Sequence, residues 1–78
     1  MVLHELMDIA YDEIWFKIVE KDGKWHRIWN ADYIGGDEES ISEIRDLLNM
    51  EFDEFDVKIE DDPDSPDCDI PVVSVYMR

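Results

Sequence analysis

Two short apolar runs flank a turn near the start of the chain: Ile14-Trp15-Phe16-Lys17-Ile18-Val19, then Asp22-Gly23, then Trp25-His26-Arg27-Ile28-Trp29. Both runs are rich in β-branched and aromatic residues, which favour strands. Asp-Gly between two such runs is a strong signal of a β-hairpin. The sequence therefore predicts two antiparallel strands joined by a tight turn.

The length of that turn fixes which side chains face the core. A two-residue turn places Phe16 opposite Trp29 and Ile18 opposite Arg27. A three-residue turn with a bulge at Gly23 instead sets Lys17 opposite Arg27, which is an unfavourable like-charge pair. The two-residue turn is therefore preferred. It predicts one face with Ile14, Phe16, Ile18, Trp25 and Trp29, and another with Trp15, Lys17, Val19, His26 and Ile28.

Apolar residues at helical spacing predict two helices. The first is expected from roughly Val2 to Ala10, with Leu3, Leu6, Met7 and Ala10 on its apolar side. The second is expected after the Gly35-Gly36 break, from about Ile41 to Met50, with Ile41, Ile44, Leu47 and Leu48 in its stripe. Ser40 and Glu43 match a capping box, in which each side chain satisfies a free N–H of the first turn.

Two further strands complete the predicted domain. Phe55, Val57 and Ile59 alternate with charged residues, which indicates a strand with one buried face. Residues 61–69 read as an exposed loop, and residues 72–77 as a last strand. The expected fold is one α+β domain, residues 1–78, with a four-stranded, mainly antiparallel sheet and two helices on one face. Its core is predicted to hold Leu6, Phe16, Ile18, Trp29, Ile44, Leu48, Val57, Ile59 and Val73.

Charge is the most unusual property of the chain. Twenty-two acidic residues and seven basic ones give a net charge of −15. Residues 37–69 hold fifteen of the acids and only Arg45 and Lys58 as bases, a net −13. Such a field repels nucleic acid and anionic membranes and attracts cationic surfaces. We therefore expect no direct binding to nucleic acid or membrane.

Familiar catalytic and metal-binding patterns are missing from the sequence. The acids of residues 62–69 lack the glycine and glutamate that a calcium loop requires, and His4, His26 and Cys68 lack zinc-ligand spacing. No serine lies in a nucleophile motif, and Ser40 is explained as a helix cap. We therefore expect a protein that is not an enzyme and needs no cofactor or metal. The lone cysteine and the absence of a basic leader favour the cytoplasm of a bacterial cell.

The acidic tract predicts where a partner binds. A domain of this size spans roughly 30 Å, and duplex DNA carries about 18 charges over that length. The net −15 is therefore comparable with the DNA that the domain would replace. Trp15 is a candidate apolar contact, because tryptophan is frequent at interface centres. The acids predicted to contact the partner are Glu39, Glu43, Asp46, Asp56, Glu60, Asp61, Asp62, Asp64, Asp67 and Asp69.

In size, charge and α+β pattern the chain resembles the small acidic proteins that phages encode against bacterial defence, the anti-CRISPR and antirestriction DNA mimics. The resemblance covers the whole chain and the tract from Asp37 to Asp69, and it involves no diagnostic motif. It implies an inhibitor that binds the basic nucleic-acid surface of a defence enzyme.

Two other classes of function remain open. One is a phage or bacterial accessory protein, such as a homodimer joined through the sheet face around Trp15 and Ile28. The other is a module that binds a small ligand or a cation. Salt dependence separates the inhibitor from the accessory protein, because only a charge-driven contact weakens steeply with salt.

Overall fold

The computed structural model describes residues 1–62 and 65–78, apart from the side chain of Pro66. It has three helices, a 3₁₀ turn and four strands. Their bounds are α1 Leu3–Ile9, β1 Trp15–Val19, β2 Trp25–Trp29, α2 Asn30–Ile34, α3 Glu38–Ser42, the 3₁₀ turn Arg45–Leu47, β3 Phe52–Asp62 and β4 Ser65–Met77. The domain measures 34 × 24 × 22 Å, close to the span expected from its length.

The four strands form one mixed sheet in the order β2-β1-β4-β3. The predicted α+β class is confirmed, but the sheet is not purely antiparallel, because its central pair, β1 and β4, is parallel. The parallel pair arises because the chain crosses from β2 through α2 and α3 to the far edge. It starts β3 there, beside the start of α1, where Val2 bridges Glu51. After β3 the chain reverses in an antiparallel hairpin, and β4 then lies in the centre of the sheet between β3 and β1.

The predicted register of the first hairpin is wrong by one residue. Phe16 lies opposite Ile28, Lys17 opposite Arg27 and Ile18 opposite His26. The turn has three residues and contains Gly23 at φ +94°, a value that residues with a side chain rarely adopt. Glu20 closes this turn, since its N–H donates to the Lys24 carbonyl and its carbonyl accepts from the Gly23 N–H. The register that was rejected for its like-charge pair is therefore the one that forms.

A one-residue shift moves each side chain of β2 to the other face of the sheet. Ile28 is therefore buried in the core, at 3% exposure, whereas Trp25 and Trp29 lie on the opposite face with Trp15. The side chains that pack between the helices and the sheet are Leu3, Leu6, Met7, Phe16, Ile18, Ile28, Ile44, Leu47, Val73, Val75 and Met77. Five of the nine predicted core residues belong to this set.

The other four predicted core residues are not fully buried. Leu48 packs against the edge of the core and Trp29 is half-buried on the far face. Val57 and Ile59 are exposed, at 59% and 67%, because they lie on the edge strand β3, beyond the reach of the helices. The alternation of Phe55, Val57 and Ile59 predicts the strand correctly, but not what covers it.

The second predicted helix is broken into shorter pieces. α3 begins at Glu38, with Asp37 as its N-cap, and ends at Ser42 before the 3₁₀ turn. Ser40 therefore lies inside the helix and donates to Asp37 Oδ2 at 2.8 Å, so it does not cap the helix as predicted. Glu38 and Glu39 occupy the first turn, where the helix dipole favours negative charge. Ile44 and Leu47 still reach the core, as their spacing predicts.

The predicted loop of residues 61–69 is largely a continuation of the β3–β4 hairpin. Asp61 pairs with Asp69 and Asp62 with Ser65, with a register shift between the two pairs. Pro63 and Asp64 lie outside the described residues. β4 pairs with β1 only from Val72 to Tyr76, so the part of the hairpin before Val72 extends past the rest of the sheet.

Asn30 joins α1 to the start of α2 in the interior. Its side chain is fully buried, and Nδ2 donates to the carbonyls of Met7 at 3.1 Å and Tyr11 at 3.0 Å. Near the surface, the Tyr33 hydroxyl donates to Asp8 Oδ1 at 2.6 Å. Burial, assisted by this bond, raises the pKa of Tyr33 to about 12, and the bond lowers the pKa of Asp8. α1 has only seven residues, so these contacts are needed to hold it.

We expect Asn30→Asp to lower the free energy of unfolding by about 3 kcal/mol. The new carboxylate would be buried against carbonyl oxygens and could not donate a hydrogen bond to them. Asn49→Asp adds the same charge at an exposed position and is the matched control. Urea unfolding at neutral pH measures both variants, and an equal effect of the two would show that Asn30 does not hold α1.

Candidate functional site

The face of the sheet that the helices leave uncovered is called here the open face. It carries Trp15, Lys17 and Val19 from β1 and Trp25, Arg27 and Trp29 from β2. The rings of Trp15 and Trp29 are 5.3 Å apart and tilted by 55°. The Lys17 ammonium lies 4.9 Å from the centre of the Trp25 ring, and the Arg27 guanidinium 5.2 Å from that of Trp15.

These contacts explain why Lys17 and Arg27 can face each other. Each cation lies over an aromatic ring, whose negative face attracts it. The attraction of each ring for its cation offsets the repulsion between the two. Val72 and Ser74 of β4 are buried on this same face, in register with Trp15 and Lys17. The long side chains of β1 and β2 thus shield this face of β4 from solvent, as a second layer of helices would otherwise do.

A cavity of about 250 Å³ opens beside the tryptophan pair. Trp15 and Trp29 line it together with Asp32 of α2 and Asp62 at the end of β3. Aromatic rings and carboxylates around one cavity favour an organic cation, such as an arginine or lysine side chain. The structure therefore brings together Trp15 and Asp62, two of the residues selected from the sequence, and adds Trp29 and Asp32.

The selected acids divide into two groups. Glu39, Glu43 and Asp46 are exposed on α3 and in the turns that follow it, on the helical side of the sheet. The others lie on the β3–β4 hairpin, where Asp56, Asp61, Asp67 and Asp69 are exposed and Glu60 and Asp62 half-buried. Asp64 lies outside the described residues. The acids thus form a helical group and a hairpin group, not one continuous surface.

The hairpin group contains a like-charge pair. Asp61 and Asp69 are direct cross-strand partners, an arrangement that destabilises a sheet. Neither makes an ion pair with a described basic residue. Local conflicts of this kind are common at functional sites.

Few bases form ion pairs with the acids of residues 37–69 in the described part of the chain. Arg45 pairs with Glu38, and Arg78 pairs with Glu51 at 2.6 Å and with Asp53 at 3.0 Å. His26 lies 2.7 Å from Glu20 and 3.8 Å from Glu43. Five of the selected acids form no ion pair within the described part of the chain: Glu39, Asp46, Asp61, Asp67 and Asp69. Five of the ten selected acids therefore carry a charge that no described base pairs with.

Sequence reasoning missed the tryptophan cluster because it chose the wrong hairpin register. The sequence does contain a signal for it. On the same face of a strand, Lys17 lies between Trp15 and Val19, and Arg27 lies between Trp25 and Trp29. The face around Trp15 and Ile28 proposed for a homodimer does not exist, because Ile28 is buried on the helical side. The exposed apolar residue beside Trp15 and Trp29 on the open face is Trp25, at 54%.

The described residues suggest no other kind of site. No three metal-ligating side chains come together among them. None of the helices in this part of the chain is long and apolar enough to cross a membrane. Cys68 is an exposed free thiol on β4.

Comparison with known proteins adds no identity. No family model, no curated protein and no solved structure matches this chain.

We expect thermal stability to rise between low and moderate sodium chloride concentration. Salt screens the repulsion among crowded carboxylates over about 8–10 Å, whereas the core is little affected. A gain of about 1 kcal/mol would raise the melting temperature by roughly 4–8 °C for a domain of this size. Calorimetry in a salt series measures it, with sucrose at matched osmolality as a control. A flat or falling melting temperature would show that the carboxylates do not repel one another appreciably.

Proposed function

We propose that this protein binds the basic nucleic-acid-binding surface of a bacterial nucleic-acid-processing protein, such as a defence effector, and inhibits it without catalysis. The proposal rests on exposed acids of the β3–β4 hairpin and α3 that form no ion pair with a described base, namely Glu39, Asp61, Asp67 and Asp69. Asp61 and Asp69 oppose each other at a cost in stability that a cationic partner would remove.

Charge density supports mimicry of nucleic acid. The domain is 34 Å long, and duplex DNA of that length carries about 20 charges. The protein presents a net −15 over the same distance. A positively charged groove that follows DNA therefore meets a comparable charge on this domain. Complementary fields of this strength accelerate association and suppress binding to anionic molecules.

The open face supplies a second element of recognition. Charge alone gives fast association but modest residence, because exposed ion pairs contribute little energy each. The cavity beside Trp15 and Trp29 offers aromatic surface next to the carboxylates of Asp32 and Asp62. An arginine or lysine of the partner would find both a ring and a negative charge there.

An accessory protein that forms a homodimer through the open face is the alternative function. Trp25 favours it, because this residue is 54% exposed and extends the apolar surface of Trp15 and Trp29 on the open face. Such a dimer would be insensitive to salt or strengthened by it, since two chains of −15 repel each other.

Charge reversal tests the proposal. The partner is captured from a bacterial lysate at low salt, eluted by a salt gradient and identified, and its binding to labelled DNA or RNA is then measured by anisotropy. We expect Asp61→Lys/Asp69→Lys to raise the inhibitory concentration at least tenfold, mainly by slowing association. Lysine at both positions keeps a like-charge pair, so the hairpin should be about as stable as in the native protein.

Asp12→Lys/Glu13→Lys is the matched control for this variant. Both residues are exposed and lie outside the acidic tract, and neither side chain forms a hydrogen bond or ion pair with the described residues. The double change alters the net charge equally. The control should keep most of its potency. Equal potency of the two variants, or inhibition that persists unchanged at high salt, would reject mimicry and favour the accessory protein.

A further inference from the structure

β3 is an edge strand of the described sheet, with β4 on its inner side. It is eleven residues long and has only β4 as a neighbour in the sheet. Among the described residues, those from 53 to 61 make no backbone hydrogen bond to any element other than β4. A long strand edge of this kind is a template for pairing with another extended chain.

The two sides of β3 differ in chemistry. Phe55, Val57 and Ile59 are 48%, 59% and 67% exposed, and form a row one strand beyond the core residues Val73 and Val75. The other side carries Glu54, Asp56, Lys58 and Glu60. An incoming strand therefore meets apolar side chains on one side and mainly carboxylates on the other.

We propose that the β3 edge takes up an extended segment of the partner in which apolar residues alternate with lysine or arginine. The apolar residues of that segment continue the row of Phe55, Val57 and Ile59. Its basic residues lie beside Glu54, Asp56 and Glu60, and its backbone completes the sheet by strand addition. The proposal deepens the proposed function and rests on it for the positive charge of the partner.

A second copy of this chain fits the edge less well. Antiparallel pairing centred on Val57 matches Phe55 with Ile59 and Asp56 with Lys58. The same pairing sets Glu54 opposite Glu60 twice, and it brings together two domains of −15 each. Asp53 also falls opposite Asp61 twice, so like-charge pairs outnumber the Asp56–Lys58 pairs, and the long-range repulsion adds to them. A basic strand has no such repulsion to overcome.

Lys58 would disfavour pairing of β3 with a second copy of this chain without blocking the strand edge. Lysine on an edge strand discourages pairing between identical chains. Its ammonium contacts the Tyr76 hydroxyl at 3.4 Å, and this bond together with the charge of Asp56 raises the pKa of Lys58. The positive charge of Lys58 is therefore partly compensated within the protein and opposes a basic strand only weakly.

The test uses a nine-residue peptide that alternates lysine with valine, capped at both ends, together with the full-length protein. One control peptide has the same composition with its lysines and valines in separate blocks. Another has the alternating order but is N-methylated at every second residue, which removes the donors along one edge and keeps the charge. Binding is measured by calorimetry, and the site by amide chemical shifts and hydrogen exchange.

We expect the alternating peptide to bind at least tenfold more tightly than either control and to slow exchange of alternate amides in β3. Val57→Ser/Ile59→Ser should weaken it about fivefold or more. Ile9→Ser/Ile34→Ser, which changes two other exposed isoleucines, should leave binding unchanged.

Three outcomes would overturn strand addition. Binding of the control peptides within twofold of the alternating peptide would mean capture by charge alone, and the proposed function would stand without this mode. Absence of peptide binding, with the protein still inhibiting its captured partner, would have the same meaning. Protection of β3 amides that grows with protein concentration, without peptide, would show that a second copy occupies the edge. The proposed function itself is tested separately, by the inhibition measured with the Asp61→Lys/Asp69→Lys variant.

Discussion

The three-residue turn at Gly23 determines which side chains of the first hairpin enter the core and which lie on the open face. Because Gly23 adopts φ +94°, the hairpin closes with Lys17 opposite Arg27, and this register assigns each side chain of β2 to a face. Ile28 consequently enters the core, and Trp25 and Trp29 join Trp15 on the open face. The cavity beside the tryptophan pair exists only in this register.

The same turn shows where sequence reasoning fails in physical terms. The choice between registers depended on one like-charge pair, worth about 0.2–1 kcal/mol. The cation–aromatic contacts that compensate that pair are of similar size, and they arise only once the register has formed. A prediction that counts the repulsion before the compensation selects the wrong face. Local patterns found the hairpin, but the energies that choose between its two forms are non-local.

β3 illustrates a different limit. The alternation of Phe55, Val57 and Ile59 reports that one side of a strand is apolar, and the strand is present as predicted. Burial depends on where the strand lies in the sheet, and that position follows from the parallel pairing of β1 and β4. The residue pattern within β3 carries no information about the pairing of β1 with β4, because those strands are distant in the sequence. Of the candidate site, exposure of the acids and the position of Trp15 away from the helices were predictable, whereas the division of the acids into two groups was not.

The acidic surface and the apolar features are joined at the β3–β4 hairpin. Asp62 contributes to the cavity with Trp15 and Trp29, and Asp61 faces Asp69 close by along the same strands. Evenly spread carboxylates would serve solubility equally well and would avoid opposing one another. Their concentration on an extended hairpin lowers its stability and raises the local field. Both effects favour a surface that becomes more stable when a cationic partner binds it.

Recognition by such a surface divides into two physical tasks. Under the proposed function, long-range charge would bring a basic partner to the hairpin quickly but would not orient it, because the field of many carboxylates is broad. Orientation and residence require contacts that act only at short range. In the two proposals above these contacts are the aromatic cavity on the open face and the outer edge of β3 with its row of Phe55, Val57 and Ile59. A partner that satisfies both must be cationic and must also present an extended backbone. This double requirement is how so acidic a domain would distinguish one basic protein from the many that its charge attracts.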